Sequence, residues 1–584
     1  MSAVAIEKIA LDAPTLVEAS AGTGKTHAIT TYFVRAILEQ GLTPEQILVV
    51  TYTKAATAEL RVRARKRILE AIRCLDESPR ERDALHEIVS IAVSELGRAA
   101  TEDRLRKALG QMDQAAILTI HGFCQRLLQD YPLLFGIDFD FEVAQDMSSM
   151  YSELAVDFWS TDLYDKPDWF LHALISHKVT PEHLAKLAEV AMMPGIEILG
   201  PERHDLDEEV VERWFELRRE AGALWSERRE AIREILLEDP GLDRRSYRMK
   251  SIDQQWIPEI DGFFRENGFR FPPEFFPKLA QGRMTVKTGR VEPAHPFFAA
   301  CTRLCEAGEA LDPMLRYAVF AFQRRFVDFA RNHGRRRQEA TGVLTFDDLL
   351  TAVYAPLDPS SEQGSISVRD RIAREISAAY PLALVDEFQD TDSVQYGIFR
   401  AIYGGGAAVY VGDPKQAIYA FRGADVFSYI GAAADVGERV YALTTNRRSD
   451  PGVVRAVNAL FSSREPAFIL EKIAFEDAVP HETTKRSNLE PAMEIVFLES
   501  EDLEGPVAPA VAPIVANEIA YLLGSGASIE ERAVDAGDVA VLCRSNNQAI
   551  EVTKELRLLG IPASLDGDSS VLNTAIASDL RAVL

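Results

Sequence analysis

Cysteine is scarce and dispersed in this chain: Cys74, Cys124, Cys301, Cys305 and Cys543 are the five in 584 residues. That spacing supports neither a disulfide framework nor a four-thiolate metal centre. Cys301 and Cys305, four apart, can share a helix face, yet two thiols make no cluster. Long apolar runs are missing as well; none approaches the roughly 20 residues that a membrane span requires. The opening MSAVAIEKIALDAP lacks the basic-then-apolar layout of a secretory leader. Positive charge is short, too: the net charge of −26 excludes a generally basic nucleic-acid coat. A local cationic channel stays open, because backbone contacts respond to local charge. These absences predict a cytoplasmic protein with no membrane association, and the length corresponds to about three or four domains.

What is present is a series of short β-branched runs. TLVEAS, ILVVTYT (Ile47–Thr53), AAILTIHGF (Ala115–Phe123), LALVDE (Leu382–Glu387), AAVYVGD (Ala407–Asp413) and VYALTTN (Val440–Asn446) are nearly continuous in apolarity. Such runs predict strands of a parallel sheet buried on both faces, and the helical patterns between them make the core α/β. From about Phe141 to Gly342 strand signals give way to helical ones, including EEVVERWFELRREAGALWSERREAIREILLE. This block is expected to be a domain inserted into the core. Within it, Leu242 to Arg290 holds ten Lys/Arg against six Asp/Glu. That excess reads either as a solvated face or as an arm directed at DNA. After Ser449, PAMEIVFLES and GDVAVLCRSNNQAIEVTKELRLLGIPA suggest a strand and then a strand–helix unit.

Chemistry concentrates at the strand ends. The segment Ala19, Ser20, Ala21, Gly22, Thr23, Gly24, Lys25, Thr26 follows one strand and opens a helical pattern, as a phosphate-binding loop does. Backbone N–H groups there converge on phosphate oxygens, with Lys25 at the β/γ-phosphates and the Thr26 hydroxyl on Mg²⁺. The first glycine of that pattern is replaced by Ala19, where a small residue suffices. LALVDEFQD adds a strand ending in two carboxylates: Asp386 for the Mg²⁺ and Glu387 to orient the attacking water.

VEASAGTGKT, ILVVTYTKAATAELRVR, LTIHGFCQRLL, LTFDDLL, LALVDEFQDTDSVQYGIF, VYVGDPKQAIYAFRGADVFSYI and LTTNRRSDPGVVRAVNALF occur in that order from Leu16 to Phe461. Together they resemble the UvrD/Rep-type superfamily 1 DNA helicases, most of all the RecB-type subunits of helicase–nucleases. The resemblance implies ATP and Mg²⁺ as cofactors and a RecA-like P-loop motor domain with a large helical insertion. That motor domain would comprise 1–140 and 341–448, the inserted domain 141–340, and an incomplete second RecA-like domain 449–584. It implies that Gln416 senses the γ-phosphate and that Arg448 adds positive charge to the transferring phosphoryl group. Tyr419, Phe421 and Arg422, with Tyr52 and His121, are implied to face DNA; aromatic faces stack on any base, which permits sequence-independent tracking.

The function so implied is a 3′-to-5′ ATP-dependent helicase subunit acting in double-strand-break repair and recombination. It would act on single-stranded and duplex-end DNA beside RecC-like and RecD-like subunits. Two departures bear on adenine selectivity: no Gln precedes Gln40, and Arg447 stands where the family carries an aromatic. The later motor motifs and the nuclease domain have no counterpart before Leu584, so the chain is expected to be the N-terminal portion of a longer protein or a truncation. A stand-alone UvrD-like or AddA-like helicase, or a nucleotide-binding remnant without unwinding activity, are the competing readings.

Overall fold

Five of the apolar runs become strands as expected; four of them are largely buried, whereas Val440–Leu443 is mostly half-buried. The computed structural model describes residues 2–3, 6–76, 84–144, 146–193, 196–201, 208–266, 268–360, 366–419, 424–482, 486–498, 507–565 and 575–583. The central sheet contains β1 (Ser2–Ala3), β2 (Thr15–Ala19), β3 (Ile47–Thr51), β4 (Ile117–Thr119), β5 (Leu382–Val385), β6 (Ala407–Gly412) and β7 (Val440–Leu443). Their order is β1-β7-β2-β6-β5-β3-β4, with every neighbouring pair parallel. The run Ala115–Phe123 yields only the three-residue β4, because Ile120 already starts the helix Ile120–Asp130.

Registers such as Glu18 with Gly412, Val50 with Val385 and Thr51 with Thr119 bring the C-terminal ends of β2, β6, β5, β3 and β4 to one edge. Residues 19–26, Tyr52, His121, Asp386, Glu387 and Gln416 end or follow the strands at that edge, where ligands of open α/β sheets bind. The core beneath includes Val17, Ile29, Phe33, Val49, Ile117, Leu384 and Val411.

The chain divides into two compact units, one formed by Met1–Arg126 with Tyr354–Leu584 and the other by Leu127–Val353. The second unit is built on two long helices, Glu208–Glu238, which kinks at Arg228, and Pro296–Thr341. Its centre is aromatic: Trp256 and Phe275 stack at 4.7 Å, and Trp214, Phe263, Phe276 and Phe297 are buried around them. Cys301 and Cys305 pack into the same cluster, where burial pushes the Cys305 thiol up to about 11. Much of the basic excess of Leu242–Arg290 is spent internally. Arg244 donates to the carbonyls of Leu236 and Asp239, Arg270 pairs with Glu266, and Arg283 pairs with Glu309.

The expected strands after Ser449 do not form among the described residues. Residues 494–498 and 539–543 carry no strand, although the helix Asn546–Leu558 follows as anticipated. Ile495, Phe497 and Leu542 are 74%, 84% and 97% exposed, so these segments have strand composition without a sheet to join.

Candidate nucleotide and DNA site

The phosphate loop is shaped by backbone geometry that only glycine tolerates well. Gly22 has φ of +81° and Gly24 of +103°, both left-handed. Thr23 closes the turn, its N–H and hydroxyl both donating to the Ser20 carbonyl at 3.1 and 2.8 Å. Gly24 then caps the helix Lys25–Arg35 without any side-chain acceptor, the kind of helix start that binds anions. Ala19 is fully buried as the last residue of β2 and packs in the sheet core. Its methyl is therefore a core contact.

Five residues close a ring at the sheet edge. Lys25 Nζ pairs with Glu387 Oε2 and donates to Gln416 Oε1 at 3.3 Å. Gln389 Nε2 reaches the same Glu387 oxygen at 2.8 Å, while Gln389 Oε1 accepts the Asp413 backbone N–H at 2.9 Å. Gln416 Nε2 completes the circuit on Asp413 Oδ2 at 2.7 Å. Lys25, Glu387 and Gln416, up to 391 positions apart in the chain, are thus brought together. Gln389 and Asp413 join them unforeseen. Gly412 permits the ring, since a Cβ there would meet Gln389 Oε1 at 2.8 Å and two backbone nitrogens within 3.1 Å.

The carboxylates are crowded. Asp386 is pushed up to about 6 by burial and then by Glu387. Asp390 is raised to about 6 by the same two causes, and its Oδ1 has no hydrogen-bond partner. Glu387 itself sits at φ +47°, a left-handed strain of about 1–3 kcal/mol that clusters at functional sites. An under-compensated set of hard oxygen donors suits a divalent cation such as Mg²⁺. No grouping of three or more His, Cys, Asp or Glu side chains that could hold a metal ion occurs among the described residues.

Arg448 is placed by Asn446. The Asn446 side chain donates to Ala21 O at 2.8 Å and accepts the N–H groups of Arg448 and Ser449 at 2.9 and 3.0 Å. Arg447 N–H donates to Gly22 O at 2.9 Å. The segment holding Arg448 is therefore fastened to the phosphate loop, and the Arg448 side chain is exposed beside it.

Tyr52, just past β3, stacks on Tyr419 with ring centroids 6.0 Å apart and planes 16° from parallel. Tyr419 lies three residues beyond Gln416, so an aromatic pair adjoins the phosphate ring. His121 occupies the first turn after β4, whose neighbour is β3. Phe421 and Arg422 lie outside the described residues.

The family model for the UvrD/REP helicase N-terminal domain matches residues 3–237 and 294–436. The chain is 34% identical to the RecBCD enzyme subunit RecB of Escherichia coli, over 98% of the chain and 50% of that protein. It is 30% identical to the subunit of that name from Haemophilus influenzae, over 97% of the chain and 50% of the relative. For the Mycolicibacterium smegmatis subunit the figures are 27%, 97% and 41%. The chain spans about half the length of the curated relatives it matches.

Proposed function

The chain belongs to the UvrD/REP helicase family, and from that premise we propose that it is the ATP-driven motor portion of a RecB-type DNA helicase. The observation that carries the reading is the ring of Lys25, Glu387, Gln389, Asp413 and Gln416 beside the Tyr52–Tyr419 stack. Phosphate chemistry and base contact then share one short turn.

In this reading Lys25 meets the β/γ-phosphates, and the first-turn N–H groups after Gly24 cradle them. Thr26 and Asp386 would hold Mg²⁺, which would supply positive charge to the phosphates. Glu387 orients and accepts a proton from the attacking water, its carboxylate fixed by Gln389. Arg448 supplies charge to the transferring group. An arriving γ-phosphate competes for Lys25, which releases Gln416 Oε1 and Glu387 together. Gln416 turns to the phosphate, and the shift passes along three residues to Tyr419. Bases stacked on Tyr419 and Tyr52, with His121, Phe421 and Arg422 alongside, are gripped or freed as the nucleotide state changes.

The proposed motion is 3′-to-5′ on single-stranded DNA entered from duplex ends. It would serve double-strand-break repair and recombination in the cytoplasm, in a heterotrimer with RecC-like and RecD-like subunits. Residues 449–584 would then begin the second RecA-like domain. Among the described residues, no helix is long and apolar enough to cross a membrane. The test is unwinding of duplexes carrying either a 3′ or a 5′ single-stranded tail by the intact enzyme with its partners. The proposal requires ATP-dependent opening of the 3′-tailed substrate and hydrolysis stimulated by single-stranded DNA. Nucleotide and DNA binding without stimulated turnover would reduce the chain to a docking remnant.

A further inference from the structure

The turn that carries Gln416 is anchored by charges that the proposed hydrolytic steps leave unused. Lys415 Nζ pairs with Glu18 Oε1 and lies 2.9 Å from Asp413 Oδ1. These three side chains are only 11%, 12% and 3% exposed. Glu18 is the penultimate residue of β2, one step before the strand enters the phosphate loop, and it is in register with Gly412 of β6. Burial works against the Lys415 ammonium, but Asp413 and Glu18 outweigh it and raise its pKa.

Asp413 divides its two oxygens between the anchor and the sensor. Oδ1 accepts the Lys415 backbone N–H at 3.1 Å, and Oδ2 accepts Gln416 Nε2 at 2.7 Å. Because Gln416 Nε2 is committed to Asp413, its Oε1 is the atom turned toward Lys25. Any rotation of the Asp413 carboxylate would therefore rotate the sensor amide. Lys415 prevents that rotation by holding Oδ1 against Glu18.

We propose that Lys415 is a positioning residue for the sensor Gln416. Its buried bridge from Asp413 to Glu18 ties the sensor turn to the strand that feeds the phosphate loop. The proposal rests on the reading of Gln416 as the γ-phosphate contact. The cluster explains why a charged pair is kept where burial disfavours charge: a rigid link between β2 and β6 keeps loop and sensor in register.

Glu18→Leu is the decisive variant, since it cuts the tie to β2 and leaves Lys415 and Asp413 as a neutral pair. Lys415→Met leaves two buried carboxylates facing each other, so loss of folding there is uninformative; Lys415→Arg preserves the charge. DNA-stimulated ATP turnover of the intact enzyme and equilibrium ADP affinity are measured for each, with Gln416→Ala as the reference. ADP lacks the γ-phosphate, so a sensor defect spares it. Glu18→Leu is expected to lower kcat about ten- to a hundredfold, as misplacement of a catalytic group by around 1 Å does. ADP affinity stays unchanged, and Lys415→Arg retains most of the wild-type kcat. The positioning role is overturned if Gln416→Ala lowers kcat while Glu18→Leu does not. It is equally overturned if Glu18→Leu weakens ADP binding as much as turnover, the pattern of a merely structural cluster. A Gln416→Ala enzyme with unchanged kcat would instead overturn the sensor reading beneath it.

Discussion

Asn446→Ala separates the placement of Arg448 from nucleotide binding. The native side chain makes three hydrogen bonds: one to the Ala21 carbonyl in the phosphate loop and two from the N–H groups of Arg448 and Ser449. At about 1 kcal/mol net each, their loss amounts to about 3 kcal/mol in a site that is almost fully buried. If Arg448 acts in the transition state, that loss appears as a kcat lower by up to about a hundredfold, since about 1.4 kcal/mol is a factor of ten. In the same reading ADP, which lacks the transferring phosphoryl group, makes no use of Arg448, so its affinity is expected to hold. Gly22→Ala attacks the same junction from the loop side. Its Cβ would come within 2.8 Å of both Asn446 side-chain atoms and of Arg448 Cβ, on a backbone at φ +81°. It should reproduce the turnover defect. The assays are steady-state hydrolysis at saturating single-stranded DNA and titration with a fluorescent ADP. Asn446→Ala with kcat near wild type, or with ADP affinity lost in proportion to kcat, refutes the reasoning.

Three further outcomes are expected. Tyr419→Ala removes a stacking face worth about 1–3 kcal/mol per base. Single-stranded DNA affinity falls accordingly while nucleotide binding persists, and the Tyr52→Ala/Tyr419→Ala double variant loses less than the sum of the singles because the two rings already stack. Asp390→Asn addresses a carboxyl raised to about 6 by burial and by Glu387. A raised folded pKa favours the native state below the unfolded value and loses that advantage as pH climbs through 6. The variant should therefore gain about 1–3 kcal/mol in urea unfolding at pH 7.5, and less than about 1 kcal/mol at pH 4, near the unfolded pKa. Arg218→Ala should destabilise the Leu127–Val353 unit by about 3 kcal/mol or more without altering nucleotide affinity. The Arg218 guanidinium is clamped by the carbonyls of Gly268 at 2.5 Å, Glu266 at 2.6 Å and Phe263, beneath the Phe263 ring.

The legible parts of the fold were those whose signal is local. The strands β2, β3, β5, β6 and β7 are short apolar runs, and β5 and β6 lead directly into the polar residues Asp386 and Asp413. Lys25, Glu387 and Gln416 could be named because motif order assigns them to strand ends. What joins them could not: Gln389 is merely a polar residue two past Glu387 until the Asp413 N–H fixes its amide. Asn446 and the Lys415–Glu18 bridge depend likewise on which strands lie side by side in the sheet. The segments 494–498 and 539–543 show the opposite failure. Their β-branched composition is real, yet a strand needs a neighbour to hydrogen-bond, and here Phe497 and Leu542 stay exposed. In the insertion, the basic excess of Leu242–Arg290 read as a solvated face or a DNA-directed arm, yet Phe263, Phe269, Phe275 and Phe276 within that stretch lie in the unit's core.

The central claim is that Lys25 serves the phosphates of a nucleotide whose hydrolysis drives a DNA motor. It is tested most directly by Lys25→Ala in the intact enzyme, measuring DNA-stimulated ATP turnover and single-stranded DNA affinity side by side. The account predicts that turnover is abolished while DNA affinity is retained. Near-normal DNA-stimulated hydrolysis in the Lys25→Ala enzyme would contradict it.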